Sequence, residues 1–463
     1  MGINTKRSML NCLLLTQALI MHVQPNSQQL IACEECGLIV HIPDISPSHS
    51  AQCPRCQHLL TKIIARPYQG VIAVSIASLI ALILSISFPF MSFSVQGMTQ
   101  QITLLHAAAM LAEYHNALLG GLLLATVLIL PALYISLILF MHIWAARLPH
   151  LPLSKRRARI ARVLCKVLFQ VKPWLMVDVF LIGVLVSLIK IAALATVSMG
   201  ISFWAFFAYA ILVVKCITIV DKSWLWGHFI PARAIHNVHA GQSHLNHNHI
   251  GCHVCHQINP INSCKSHHCI RCRTPLKPYN PSTSLQKAWA LLIASVILYL
   301  PANLYPMMYT VSLGHSQGST ILEGVILLWK LGSYPVAVVI FFASIFIPMA
   351  KMLALGWLYY NAKKSQYLAP DVSFSRLKIF RITELIGRWS MIDIFVVAIL
   401  VALVQLQNLM SIYPGPAALS FAGVVLLTML SAMSFDPRIL WQSPSNKRQS
   451  PASNPLTEIT EHE

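Results

Sequence analysis

Apolar residues in this chain are gathered into long blocks, not spread at the helical or strand period of a soluble fold. The blocks cover residues 71–93, 118–144, 174–197, 203–220, 285–309, 334–360, 389–409 and 416–435. About 20 apolar residues cross a hydrocarbon core of ~30 Å, so each block predicts one membrane-spanning helix. Proline punctuates them. Pro131 and Pro348 lie inside the second and sixth blocks, where they predict kinks. Ser87-Phe88-Pro89-Phe90-Met91 breaks the first block near its far end, and Pro301 and Pro306 break the fifth. Such breaks free backbone carbonyls that only protein or a cavity can shelter, which suggests a portal or a docking surface there.

The blocks form two copies of one unit. Trp174-Leu175-Met176-Val177-Asp178-Val179-Phe180 recurs as Trp389-Ser390-Met391-Ile392-Asp393-Ile394-Phe395. Pro131 aligns with Pro348, Pro89-Phe90-Met91 with Pro306-Met307-Met308, and Thr103-Leu104-Leu105-His106 with Thr320-Ile321-Leu322-Glu323. Four spans per unit is an even number, so the units are parallel, related by an axis along the membrane normal.

A cysteine module precedes each set of spans. Cys33-Glu34-Glu35-Cys36 and Cys53-Pro54-Arg55-Cys56 are separated by sixteen residues, Cys252-His253-Val254-Cys255 and Cys269-Ile270-Arg271-Cys272 by thirteen. Two CxxC knuckles offer four thiolates to one tetrahedral ion, predicting a structural zinc in each module, with iron the lesser alternative. Cys264 and His267 lie between the second pair of knuckles as possible competitors, but the four CxxC cysteines match the first set. The linker from His236 to His268 is histidine-rich, which by itself defines no site.

Only 10% of the 463 residues are charged, against about 25% in soluble domains, so the chain is an integral membrane protein. The net charge of +19 invites a nucleic-acid partner, but its placement excludes one. Most of it sits in segments 145–172 and 361–388, whereas the opposite loops, 95–116 and 311–333, hold one basic residue between them, Lys330. That is the positive-inside pattern, and it puts the modules, both basic segments and both termini in the cytoplasm. Six regions follow. They are an arm (1–29), a zinc-ribbon-like module (30–66), four spans (67–227), a His-rich linker with the second module (228–280), four spans (281–437) and a disordered tail (438–463).

The paired tetra-cysteine modules, the fourfold spans and the repeated Trp-x-Met-x-Asp-x-Phe segment resemble the paraquat-inducible protein A (PqiA/LetA) family of bacterial inner-membrane proteins. The resemblance covers roughly residues 30–440. It implies an α-helical polytopic protein of two parallel repeats. It also implies work in intermembrane lipid transport with an MCE-domain partner that bridges the periplasm.

No nucleophile constellation, phosphate-binding loop or dinucleotide fingerprint is present, so no enzyme is predicted. The chemistry rests instead on ionisable residues in the apolar blocks, where a charge is costly unless satisfied. Asp178 and Asp393 occupy matching first-turn positions, fitting either helix-dipole complements or a polar relay. Lys190 and Lys351 lie deep in their blocks, and Glu323 and Lys330 share one face of a far-side helix. These six form the expected transport network, with membrane lipid as substrate. A proton-coupled transporter of a small solute and a membrane-bound metal or redox sensor are the alternatives.

Overall fold

The computed structural model describes residues 30–441, except 43–48, 63–67, 96–97, 107–108, 110–116, 148–153, 193–195, 234, 236–237, 247, 262–267, 277, 313–314, 331, 333, 364–369, 404 and 407–409. The predicted arm, Cys264 and His267 therefore lie outside the described residues.

The first module is two short antiparallel hairpins, β1 (Leu30–Ala32) with β2 (Ile39–His41) and β3 (Ser50–Gln52) with β4 (Leu59–Lys62). The chain then enters α1 (Gln69–Ser87), reverses through β5 (Met91–Val95) and β6 (Met98–Ile102), and returns along α2 (Ala117–Leu123) and α3 (Leu130–Arg147). The amphipathic α4 (Lys155–Val171) follows, then α5 (Val177–Ala192), β7 (Thr196–Met199), α6 (Ile201–Ile219) and the short α7 (Lys222–Phe229). The second module contributes β8 (His249–Gly251) and β9 (Ile258–Pro260). The second repeat runs α8 (Pro281–Leu304), β10 (Met308–Ser312), β11 (His315–Ser319), α9 (Ile321–Lys330), α10 (Tyr334–Phe341) and α11 (Ile347–Lys363). It ends with α12 (Pro370–Trp389), α13 (Ile392–Leu403), β12 (Gln405–Leu406), β13 (Met410–Pro414) and α14 (Pro416–Ser434).

The first and last spans of each repeat, α1 with α6 and α8 with α14, pack most extensively. Small residues make that approach possible. α1 buries Ser75, Ser78, Ala81 and Ser85 while Ile76, Ile80 and Ile83 face outward. α8 buries Ala288, Ser295 and Ala302 and turns Ile293, Ile297 and Leu300 out. Several buried hydroxyls are satisfied within their own helix, as where Ser78 donates to the Val74 carbonyl at 2.7 Å, and others across the pair, as where Ser431 donates to the Ala288 carbonyl at 2.7 Å. This is the inverse of a soluble protein, with the large aliphatic side chains on the lipid side.

The kinks expected at Pro131 and Pro348 take one form. A π turn, Leu124–Ile129, joins α2 to α3, and another, Phe342–Phe346, joins α10 to α11. Proline removes one N–H and its ring crowds the carbonyl four residues back, so the preceding turn widens.

Among the described residues, seven helices are long and apolar enough to cross a membrane, against the eight predicted. The exception is the block 389–409. Its helix, α13, has 12 residues, about 18 Å of length. It nevertheless joins the end of the molecule that holds the modules to the end that holds the sheets. The far ends of four predicted spans are strands. β5 pairs with β6 and with β7 (Phe93 opposite Val197), and β10 pairs with β11 and with β13 (Thr310 opposite Ile412). Each repeat is thus capped by a small antiparallel sheet. The tail expected to be disordered from 438 is ordered at its start, where Pro437–Trp441 forms a 3-10 turn with Ile439, Leu440 and Trp441 buried.

Each module places an arginine over a tryptophan at the end of a repeat, the first module on the second repeat and the second module on the first. Arg55 of the first module lies over the Trp441 ring at 4.6 Å, at the end of the second repeat. Arg271 of the second lies over Trp226 at 5.8 Å, in α7 at the end of the first.

Candidate metal centres and the cavity between the repeats

The four knuckles share one geometry. In each, the turn closes when the residue after the second cysteine donates its N–H to the carbonyl of the first. Gly37 does so to Cys33 at 3.0 Å, Gln57 to Cys53 at 2.8 Å, His256 to Cys252 at 2.9 Å and Arg273 to Cys269 at 3.0 Å. These four residues have φ of 68°, 57°, 57° and 58°, and only one of them is glycine. A non-glycine residue in this region costs roughly 1 kcal/mol, a cost offset when the turn aims two sulfurs at one point.

The sulfurs converge. Cys33 and Cys56 Sγ are 3.5 Å apart, as are Cys36 and Cys53. Cys252 and Cys272 are 3.5 Å apart, Cys255 and Cys269 3.6 Å. All four atoms of each set lie within 4.8 Å of one another, and all eight side chains are buried. A tetrahedral ion with metal–sulfur bonds of about 2.3 Å sets sulfurs roughly 3.8 Å apart, so both clusters fit a metal ion. Without a cation the hydrogen bonds among four buried thiols drive their pKa values apart, Cys36 up and Cys53 down.

Polar contacts tie the first module into the structure on two sides. Glu34 pairs with Lys222 at 3.0 Å and His256 at 3.1 Å, and Thr61 donates to Asp221 at 3.0 Å. Burial alone would raise the Glu34 carboxyl, but His256 and Lys222 override it and hold it well below the usual carboxylate range. On the other side Glu35 accepts from Arg381 Nε at 3.1 Å and from Nη2, and pairs with His58 at 3.1 Å.

Arg381 also lines a cavity of about 540 Å³ between the repeats, at the module end. Val177, Val213, Ile217, Met429 and Met433 give it an apolar wall. Four cations, Lys172, Lys351, Arg381 and Arg388, and two acids, Asp178 and Glu384, line the remainder. Burial raises the Glu384 carboxyl above its ordinary range, and the charge on Glu35 adds to the shift. Lys351 is 3% exposed, and its ammonium donates to Thr428 Oγ1 at 2.9 Å. Thr428 in turn donates to the Val425 carbonyl at 2.9 Å. Gly387 makes the approach possible, because a Cβ there would stand 2.9 Å from Lys351 Nζ.

Of the expected network, Asp178 and Lys351 both line this cavity. Glu323 does not join them. Its carboxylate accepts from the Thr320 N–H at 2.8 Å, and its own N–H donates to Thr320 Oγ1 at 3.3 Å, a reciprocal cap on α9. Glu323 and Lys330 are both exposed on that far-side helix. Lys190 and Asp393 sit on α5 and α13, but their side chains lie outside the described residues. Sequence reasoning treated Lys172, Arg381 and Arg388 only as part of basic segments and passed over Glu384, Gly387 and Thr428. One signal was available. Arg381, Glu384 and Arg388 are spaced i, i+3, i+7, one face of an amphipathic helix.

The Paraquat-inducible protein A family model matches the chain twice, over residues 68–230 and 285–444, the two span sets. The chain is 41% identical over 413 residues to "Intermembrane transport protein PqiA" of Escherichia coli K12, covering 89% of this chain and 95% of that one. It is 28% identical over 428 residues to "Probable intermembrane transport protein" of Haemophilus influenzae, covering 89% and 96%. It is 27% identical over 411 residues to "Lipophilic envelope-spanning tunnel protein A" of E. coli K12, covering 89% and 91%. No solved structure matches. With the family model repeated over both span sets and cysteine clusters ahead of each, this multi-pass membrane chain belongs to the paraquat-inducible protein A family.

Proposed function

We propose that this protein is the inner-membrane component of a pathway that moves lipid between membranes. The names of its relatives support intermembrane transport. The cavity between the repeats is the observation that carries the lipid reading. It joins an apolar wall to a cationic patch, the two surfaces an acyl chain and an anionic head group require. Lys351 is the residue to which the head group is assigned.

The modules and basic segments face the cytoplasm, by the positive-inside rule, and the sheets face the periplasm, where an MCE-domain protein receives or delivers lipid. Each cysteine cluster holds one zinc, since an all-thiolate tetrahedral set with no open position is a structural site. Cys33, Cys36, Cys53 and Cys56 bind the first ion, and Cys252, Cys255, Cys269 and Cys272 the second. The reading makes the protein a carrier and not an enzyme.

Lipids co-purifying with wild type and Lys351→Ala, identified by mass spectrometry, test it. An anionic phospholipid present in wild type and depleted in the variant is the expected result. Equal lipid content in both, with full envelope integrity in a complementation assay, would remove the cavity from the function.

A further inference from the structure

We infer that the first metal centre fixes the charge pattern of the cavity, with Glu35 as the positioning residue and Arg381 as the group it positions. The inference rests on reading that cavity as a head-group site. Glu35 lies between the ligands Cys33 and Cys36 in one knuckle. Arg381 Nε donates to both carboxylate oxygens of Glu35, at 3.3 and 3.1 Å, and Nη2 donates to Oε2, so two donors of one guanidinium are held on one carboxylate, which fixes it in orientation as well as place. The same Nη2 donates to the carbonyl of Cys56, the last ligand of the other knuckle, at 2.7 Å. Arg381 therefore grips both knuckles at once, and both acceptors are in position only while the two knuckles are held face to face. That is what an ion shared by four sulfurs enforces.

The opposite edge of this clamp is the cavity. Arg381, Glu384 and Arg388 rise from one face of α12 and all line it. Engaging Arg381 on the module side leaves its charge at the cavity wall in one fixed place, beside Glu384. The device is built once. At the place of Glu35 the second module has Val254, which cannot pair with a cation, and at the place of Arg381 the first repeat has Lys166. The contact also spans the two repeats, joining residues 346 apart in sequence, so it bridges the boundary where the cavity lies. Loss of the first ion would separate the knuckles, release Arg381 and alter the head-group preference without any change to Lys351.

The test uses the full chain in nanodiscs of mixed phosphatidylglycerol and phosphatidylcholine. The ratio of the two lipids retained per protein is measured by mass spectrometry, and metal content by elemental analysis. Glu35→Gln is expected to keep both metal ions and to lower the phosphatidylglycerol preference roughly tenfold, the size of one charge-assisted contact. Arg381→Gln should do the same, and the double variant no more than either. Arg381→Lys keeps a charge but not the fork, and should recover only part of the preference. A metal-loaded Glu35→Gln with wild-type preference overturns the inference. Should that variant not accumulate, wild-type preference in Arg381→Gln overturns it instead. Lys351→Gln separates the two levels. If it leaves the preference unchanged the head-group reading itself fails, whereas a loss there with none in Glu35→Gln sinks only the coupling.

Discussion

The rings of Phe180 and Phe395 meet edge to face, with centroids 5.4 Å apart and planes at 80°. They are the same residue of the two repeats, the last position of the Trp-x-Met-x-Asp-x-Phe segment. Equivalent residues touch each other only next to the axis that relates their repeats, so the pseudo-twofold axis passes between α5 and α13. Gly183 lets the helices close there, since a Cβ on it would stand 3.1 Å from Phe395 Cβ. Both rings are fully buried.

Because the two rings form one contact, their truncations should not add. Phe180→Ala and Phe395→Ala should each destabilise the protein by about 3–5 kcal/mol. A double-mutant cycle should return a coupling of about 0.5–1.5 kcal/mol. Strict additivity in thermal or denaturant unfolding would mean that the helices do not meet here.

Replacing one ligand should cost one ion. Cys53→Ser and Cys269→Ser are each expected to lower the metal content from two ions per chain to one and to reduce the thermal midpoint by several degrees, because structural metal binding contributes directly to folding. Elemental analysis of freshly purified protein decides it. Wild type without zinc or iron would remove both centres.

The ammonium of Lys351 gives opposite signs for two substitutions in one contact. Thr428→Val leaves a buried cation without its acceptor, a loss of about 1–3 kcal/mol. Lys351→Met removes the charge together with its need for a partner, and stability should be unchanged or higher. Complementation should nevertheless fail for Lys351→Met. The prediction is wrong if the methionine variant is the less stable of the two, or if it supports full envelope integrity.

His244 is expected to make the linker sensitive to acid. Its ring is buried against Tyr279, with centroids 4.7 Å apart. Burial, helped by Arg438 and Arg55 and opposed by Asp436, lowers its pKa to about 4. An unfolded histidine titrates near 6.5, so between these values the unfolded chain binds the extra proton. Stability from this group is complete above about pH 6.5 and is lost as pH falls toward 4, by on the order of 3 kcal/mol. Comparing unfolding of wild type and His244→Phe from pH 7.5 to 4.5 isolates it, and parallel curves would refute it.

Module docking should depend on the 3-10 turn that follows α14. Trp441→Ala removes a buried ring and the seat of Arg55, and should cost about 3–5 kcal/mol. Ending the chain after Asp436 should be worse still, because Ile439 and Leu440 leave with it. Proteolysis of the first module, followed by mass spectrometry, reports the docking. Unchanged cleavage in Trp441→Ala would show that the contact does not hold the module.

What the sequence by itself determined is what local chemistry dictates. A block of some 20 apolar residues has one stable fate in lipid, a helix, because its backbone must satisfy itself there. Two CxxC pairs within a short span can converge on one point without help from the rest of the chain, so the two clusters of four cysteines were legible. The internal repeat was legible because Trp174 to Phe180 and Trp389 to Phe395 carry it in their letters. Tertiary structure decided the rest. The ends of four apolar blocks became strands because β5 finds β7, and β10 finds β13, some hundred residues away, and no local pattern announces a distant partner. Glu323 and Lys330 looked equal to Lys351 in sequence, yet α9 leaves them exposed while Gly387 and Thr428 enclose Lys351. The contact of Arg55 with Trp441, and the clamp from Glu35 to Arg381, depend on how two separately legible units pack. That packing is set by shape and charge across a boundary that neither unit encodes alone.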